Sequence, residues 1–237
     1  MRINGSDWQR GLPPLTGGHP ESPLEELFLH EADKYLSRLV TICLQEEIST
    51  PHGLFRLDFL FRADRQKPVA VECDGAGSHL GRFEYDRWRD AAILAWTKIR
   101  VVVRVQGRRL YRYPTAVWFA IGREVPWLFG EGAEQVLRSA FRGLDAEVHE
   151  RRIRSDGYAW DDALAWDPDL VSELIDESGD LIPIRLTDRE VVDLADLSIH
   201  SDVSLASEIA WLRANPMLSL RAAMRTYEQT AGWVPDR

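Results

Sequence analysis

Glu72 and Asp74 close the apolar run Val69-Ala70-Val71-Glu72-Cys73-Asp74-Gly75, one residue apart. On a β-strand successive side chains alternate, so the two carboxylates share a face and Cys73 points to the other. Leu57-Asp58-Phe59-Leu60-Phe61 also reads as a strand, and pairing the two as a hairpin brings Asp58 to that face. Three carboxylates at a sheet end repel one another and lose hydration. A divalent cation relieves both, and a hard ion such as Mg2+ (or Mn2+) takes oxygen ligands of this kind. Plainer readings stand beside this one. Asp58 could cap backbone donors at a strand end. Glu72 and Asp74 could pair with Arg89 or Arg104. Asp86, Arg89 and Asp90, at i, i+3 and i+4, could form a salt-bridge cluster on a helix surface.

Charge is divided along the chain. The net charge is -9, which argues against indiscriminate binding to polyanions. Yet residues 82–112 hold nine Lys or Arg against three Asp or Glu, while residues 161–237 hold six Arg against sixteen Asp or Glu. The basic stretch directly follows the carboxylate strands. A cation-dependent site beside a basic surface suits a phosphate-backbone substrate. Solvated surface arginine is the plain alternative.

The elements that must position these groups can be read in order. Residues 1–21, with Gly11, Pro13, Pro14, Gly17, Gly18 and Pro20, form an irregular lead-in. Ser22-Pro23-Leu24-Glu25 gives a helix start with a capping Ser, Pro at the first position and Glu at the third. Apolar spacing from Leu24 to Val40 predicts a helix over that length. A strand over 42–48 and the turn Thr50-Pro51-His52-Gly53 lead into the Asp58 strand. Residues 63–68 are a hairpin loop, and the Glu72 strand follows. A helix over 83–95, a β-branched strand over 99–105 and a short helix over 114–121 complete an α/β unit. Beyond it, helices are expected over 133–149, 168–176, 188–197, 205–214 and 217–230, with Ser201 and Ser204 as possible caps. The organisation is thus a lead-in (1–21), an α/β domain (22–122), a connecting helix and linker (123–160) and an acidic helical region (161–237).

Bulk properties narrow the class. The content of 45% hydrophobic and 28% charged residues describes a globular chain. No apolar run approaches the length of a membrane span, and no apolar signal region follows the N-terminus. A cytoplasmic location without membrane contact is expected. Cys43 and Cys73 are too few for a disulfide framework and read as reduced core thiols. His19, His30, His52, His149 and His200 show no metal-ligand spacing.

Taken in order, Ser22-Pro23-Leu24-Glu25, Leu57-Asp58-Phe59, Val71-Glu72-Cys73-Asp74-Gly75 with His79, Tyr85-Asp86-Arg87-Trp88-Arg89-Asp90-Ala91-Ala92, Val102-Val103-Arg104, Gly107 and Pro114-Thr115-Ala116-Val117 resemble the PD-(D/E)XK nuclease superfamily. They are similar, more narrowly, to its very-short-patch-repair (Vsr-like) endonuclease branch and allied uncharacterised domains. The resemblance covers residues 22–122. It implies an α/β fold with a central mixed sheet flanked by helices, the restriction-endonuclease-like core, to which an acidic helical region is added. It also implies metal-dependent phosphodiester hydrolysis. Asp58 and Glu72 would hold the metal with the Cys73 carbonyl, Glu25 would contribute directly or through water, and His79 would move the proton. Arg89 would pair with a carboxylate or a substrate phosphate. Asp74 stands where the superfamily's usual motif has Lys. His79 lies one residue farther from Asp74-Gly75 than in the common pattern.

Two functions are therefore expected in competition. One is a metal-dependent DNA endonuclease in repair, restriction or phage defence. The other is a catalytically silent nuclease-fold module that holds nucleic acid through Arg100, Arg104, Arg108, Arg109 and Arg112 while a partner does the chemistry. The acidic C-terminal region would dock a protein partner, compete for the basic face, or simply complete the core.

Overall fold

A computed structural model describes residues 13–75, 83–129, 132, 137 and 188–231. Its centre is a mixed sheet of six strands in sequential order: β1 (Leu15–Gly17), β2 (Thr41–Thr50), β3 (Gly53–Arg62), β4 (Val69–Asp74), β5 (Val101–Gln106) and β6 (Ser198–Ser201). β2, β3 and β4 form an antiparallel meander. The β4–β5 pair is parallel and is joined through α2 (Phe83–Trp96), as parallel neighbours require a crossover. The helices α1 (Pro23–Ala32), α3 (Gly107–Arg112), α4 (Pro114–Glu124) and α5 (Asp188–Ala195) belong to one face. On the other, α2 packs with α6 (Ala206–Ala214) and α7 (Leu220–Ala231). Among the described residues no helix is long and apolar enough to cross a membrane.

Each face has its own core. Phe28 stacks on Trp118 and tilts against Phe59 beneath α1 and α4. Trp88, Ile93, Leu205, Ile209 and Leu212 meet Leu60, Ala70 and Val102 on the opposite side. The apolar strands β4 and β5 are buried on both faces, the usual state of parallel strands between helical layers.

The first helix is shorter than its apolar spacing predicts. It ends at Ala32, and the Lys34 and Tyr35 N–H groups close a turn on the Glu31 and Ala32 carbonyls. Leu36 then pairs with Phe129 as an isolated bridge. Tyr35, Leu36 and Val40 are still buried with Phe28. Apolar recurrence reported burial here, and burial does not require the helix to continue.

The acidic stretch contributes to both faces and to the sheet itself. The helices expected over 188–197, 205–214 and 217–230 form within one to three residues of those bounds. Ser198–Ser201, however, is a strand antiparallel to β5. Ser201 and Ser204 exchange hydrogen bonds of 2.8 and 3.2 Å in the turn before α6 instead of capping it. The helices expected over 133–149 and 168–176 lie outside the described residues, apart from buried Leu137.

Leu212 is fully buried beneath α2. Leu212→Ala is expected to lower stability by about 2–5 kcal/mol. Melting monitored by circular dichroism is expected to show one transition, whereas an independent C-terminal unit would melt separately.

Candidate active site at the open end of the sheet

The carboxylates gather where the sheet comes apart. Gln45 adopts a left-handed backbone, φ +53°. The β2–β3 ladder pairs Leu44 with Phe59 and Glu46 with Leu57, but Gln45 with nothing. The register resumes without offset, so no residue has been inserted. Yet the faces exchange: Leu44 and Phe59 pack under α1, whereas Leu57, two residues from Phe59, packs under α2 with Phe55. Asp58 sits at this reversal. Its Oδ2 accepts the Cys73 N–H at 2.8 Å, just beyond the last β3–β4 pair, Phe59 with Val71. A side chain thus replaces a backbone acceptor as the ladder opens.

Helix α2 crosses the strands and brings the cations. Arg89 grips Glu72 through two contacts of 3.1 Å and donates to the Arg56 carbonyl. Arg104 of β5 binds Asp90 at 2.7 and 3.0 Å and reaches Asp74 at 3.2 Å and Asp86 at 3.5 Å. His200 of β6 adds a 2.7 Å contact to Asp90. Asp90 has no exposed surface, and Arg104 and His200 are buried with it. The network is therefore rooted in the core, with Asp74, Asp86 and Arg89 half-buried at its rim, and is not the surface cluster their spacing also allowed.

Glu25 approaches from the other layer. Its Oε2 accepts the Glu21 N–H at 2.9 Å and the Gln45 amide at 2.8 Å, and Ser22 Oγ donates to its Oε1 at 2.8 Å. Ser22 in turn accepts the Glu25 N–H, a reciprocal capping arrangement. Asp58, Glu72 and Asp74 therefore share one neighbourhood, with Glu25 at its border. His79 lies outside the described residues.

Burial sets the charge states. It pushes Glu72 up to about 7; Arg89 opposes the shift and the nearby Asp58 charge reinforces it. Burial also raises Asp58, against the Cys73 N–H and with the charge of Glu25. Burial lowers Arg89, but the charge and hydrogen bond of Glu72 together with the charge of Asp90 leave it above its ordinary value. The pair thus favours the cation on Arg89 while Glu72 remains hard to ionise, because it is buried and also faces Asp58. For Asp90, burial is outweighed by the hydrogen bonds from His200 and Arg104, which hold it below its ordinary value. Burial and four neighbouring carboxylates keep the Cys73 thiol protonated.

The donor chemistry fits a hard divalent cation. Asp58, Glu72 and the Cys73 carbonyl offer oxygen alone. Two adjacent carboxyls that resist ionisation gain most from added positive charge. As placed, no group of three or more His, Cys, Asp or Glu side chains among the described residues could hold a metal ion, and Arg89 spans both Glu72 oxygens. Glu72 could serve as a ligand only if Arg89 released one of them.

The arginines expected to face nucleic acid divide into groups. Arg89, Arg104 and Arg109 are buried or nearly so and bound to Glu72, Asp90 and Asp196 respectively. Arg100 is exposed but just precedes the far end of β5, roughly 20 Å along the chain from the level of Asp74, which pairs with Gln106. Arg108 and Arg112 are exposed on α3, which begins where Gly107 packs against the Asp74 carbonyl. Arg87 pairs with Glu208, so some of the opposite charge of the two segments is neutralised within the molecule.

Gln45 and His200 were missed from the sequence. A Gln inside a strand pattern carries no local sign of left-handed backbone, and His200 lies in a strand too short to show alternation. Comparison with family models, curated proteins and solved structures returns no match.

Glu72 ionises less readily in the fold than in the unfolded chain, so its contribution to stability is present below pH 4.5 and is lost as pH rises through about 7. In EDTA the loss is expected to reach about 3 kcal/mol by pH 8. Glu72→Gln is expected to flatten this decline and to melt above the parent at pH 8, as read from thermal melts at pH 5.5, 7 and 8.

Proposed function

We propose that the chain is a metal-dependent endonuclease of the PD-(D/E)XK type, close to its Vsr-like branch, acting on DNA in repair, restriction or phage defence. The observation that carries this reading is the meeting of Asp58 and Glu72, two carboxyls that burial pushes toward protonation, at the opening of a mixed α/β sheet. The order of β-meander, α2 and parallel β5 supports a restriction-endonuclease-like core. Asp58, Glu72 and the Cys73 carbonyl would hold Mg2+ or Mn2+. Such an ion lowers the pKa of bound water and neutralises charge on a scissile phosphate.

The protein's own groups have distinct tasks in this reading. Asp58 is oriented by the Cys73 N–H. Arg89, once shifted from Glu72, has a phosphate within its range of partners. Asp74 is fixed by Arg104 and cannot replace the absent Lys as a cation; it can only accept a proton or hydrogen bond. His79 would serve as the general acid or base. Arg108 and Arg112, with the exposed ring of Tyr111 between them, form the surface for the phosphate backbone. An acidic C-terminal face that docks a protein partner is compatible with this arrangement.

A second reading draws on a specific observation: Glu72 and Asp74 are each engaged by an arginine. On that reading the chain is a catalytically silent nucleic-acid-binding module.

Cleavage of plasmid and oligonucleotide DNA with Mg2+ or Mn2+ separates the two. Asp58→Ala and Glu72→Ala are expected to reduce cleavage by more than about 100-fold, beyond the loss typical of supporting residues, with DNA binding retained. Arg108→Ala with Arg112→Ala is expected to weaken binding and flatten its salt dependence. Salt-sensitive binding without cleavage in either metal would favour the silent module.

A further inference from the structure

We propose that Gln45 is a positioning residue of this site: its left-handed backbone opens the sheet at Asp58, and its amide fixes the Glu25 carboxylate beside that opening. This rests on the nuclease reading.

The residue type carries the argument. A left-handed turn made only to bend a strand is best made by Gly, which has no Cβ to oppose it. The chain does use Gly at positive φ, at positions 17, 53 and 132, and places Arg65 and Asp196 there too, but in turns and loops rather than within a strand. At 45 it keeps a five-heavy-atom side chain at φ +53°, a conformation that costs folding free energy for any residue but Gly. The side chain is used: Nε2 donates to Glu25 Oε2 across twenty positions of sequence. The amide must present its NH2 to a carboxylate, which leaves Oε1 as the remaining acceptor. That atom is buried and has no donor among the described residues, so the amide keeps an acceptor to spare beside Glu25.

Backbone and side chain act at the same place. The interruption at Gln45 falls opposite Asp58, and Asp58 turns to the Cys73 N–H at that level. The same residue links the β2–β3 arm to the N-terminus of α1, so its side chain ties Glu25 to the strand level that lies opposite Asp58. Capping the helix does not require this link, because Ser22 and the Glu21 N–H already satisfy Glu25.

The test uses Gln45→Gly and Gln45→Asn in the full chain. Gly keeps the left-handed backbone and removes the amide. Asn tolerates that backbone, but its amide is one methylene short. Both are expected to melt within about 4 °C of the parent or above it, the span of a small stability change in a chain of this size. Both are expected to lower kcat for DNA cleavage by about 10- to 100-fold, as loss of a supporting group does, with KM for DNA unchanged. Wild-type kcat in either variant, a change confined to KM, or a melt of both far below the parent overturns the positioning role while leaving the nuclease reading in place. A parent chain that cuts no DNA with Mg2+ or Mn2+ overturns the reading, and this role with it.

Discussion

The buried pair of Asp90 and Arg104 is the contact on which the rest of the arrangement turns. It joins α2 to β5 inside a layer that is otherwise apolar, where an unpaired charge is very costly. Both members are extended by further partners: Arg104 to Asp74 and Asp86, Asp90 to His200. Removing one partner of such a pair typically costs about 3–5 kcal/mol, because the other is left buried and uncompensated. The pair also fixes the rotation of α2 about its axis. With Asp90 turned to β5, Arg89 is turned to β4 and Glu72. The geometry of the acidic cluster is thus set by an ion pair outside it.

This explains how acidic groups can be concentrated at one sheet end without disrupting it. Asp58 occupies a position that backbone pairing has vacated, Glu25 takes part in a helix cap, and Glu72 and Asp74 each meet an arginine. The stabilising partners are also what a cation and a phosphate would displace. The remaining cost is concentrated in Glu72, the carboxyl that burial pushes up to about 7.

Much of the fold was legible because its central strands are rich in apolar residues and separated by strong turn signals. The hairpin at 50–53, the loop at 63–68 and the Ser22 cap followed directly from local chemistry. Glu72 and Asp74 were legible as a pair because strand alternation groups them, and hairpin pairing of their strand with the preceding one added Asp58. The manner of Asp58's arrival was not: simple pleating puts it squarely on one face, whereas the backbone at Gln45 reverses the faces and sends it sideways to the Cys73 N–H. The β-strand at 198–201 escaped because pairing with β5, a tertiary event, selects it. The division of the arginines escaped for a related reason: Arg108 and Arg109 both reach Asp196, far away in sequence, yet only Arg109 is buried.

The pairing of Val101 with Ser201 spans a hundred positions of chain, and its consequence is kinetic. Closing so long a loop carries an entropic penalty that local hairpins such as β2–β3 escape. The meander and its crossover helix can therefore assemble early, leaving one flank of β5 with unanswered amides and carbonyls. During that interval the flank is a template for any stray extended segment, including one from a neighbouring molecule. Docking of the distant strand ends this vulnerability, and it delivers His200 to Asp90 in the same event.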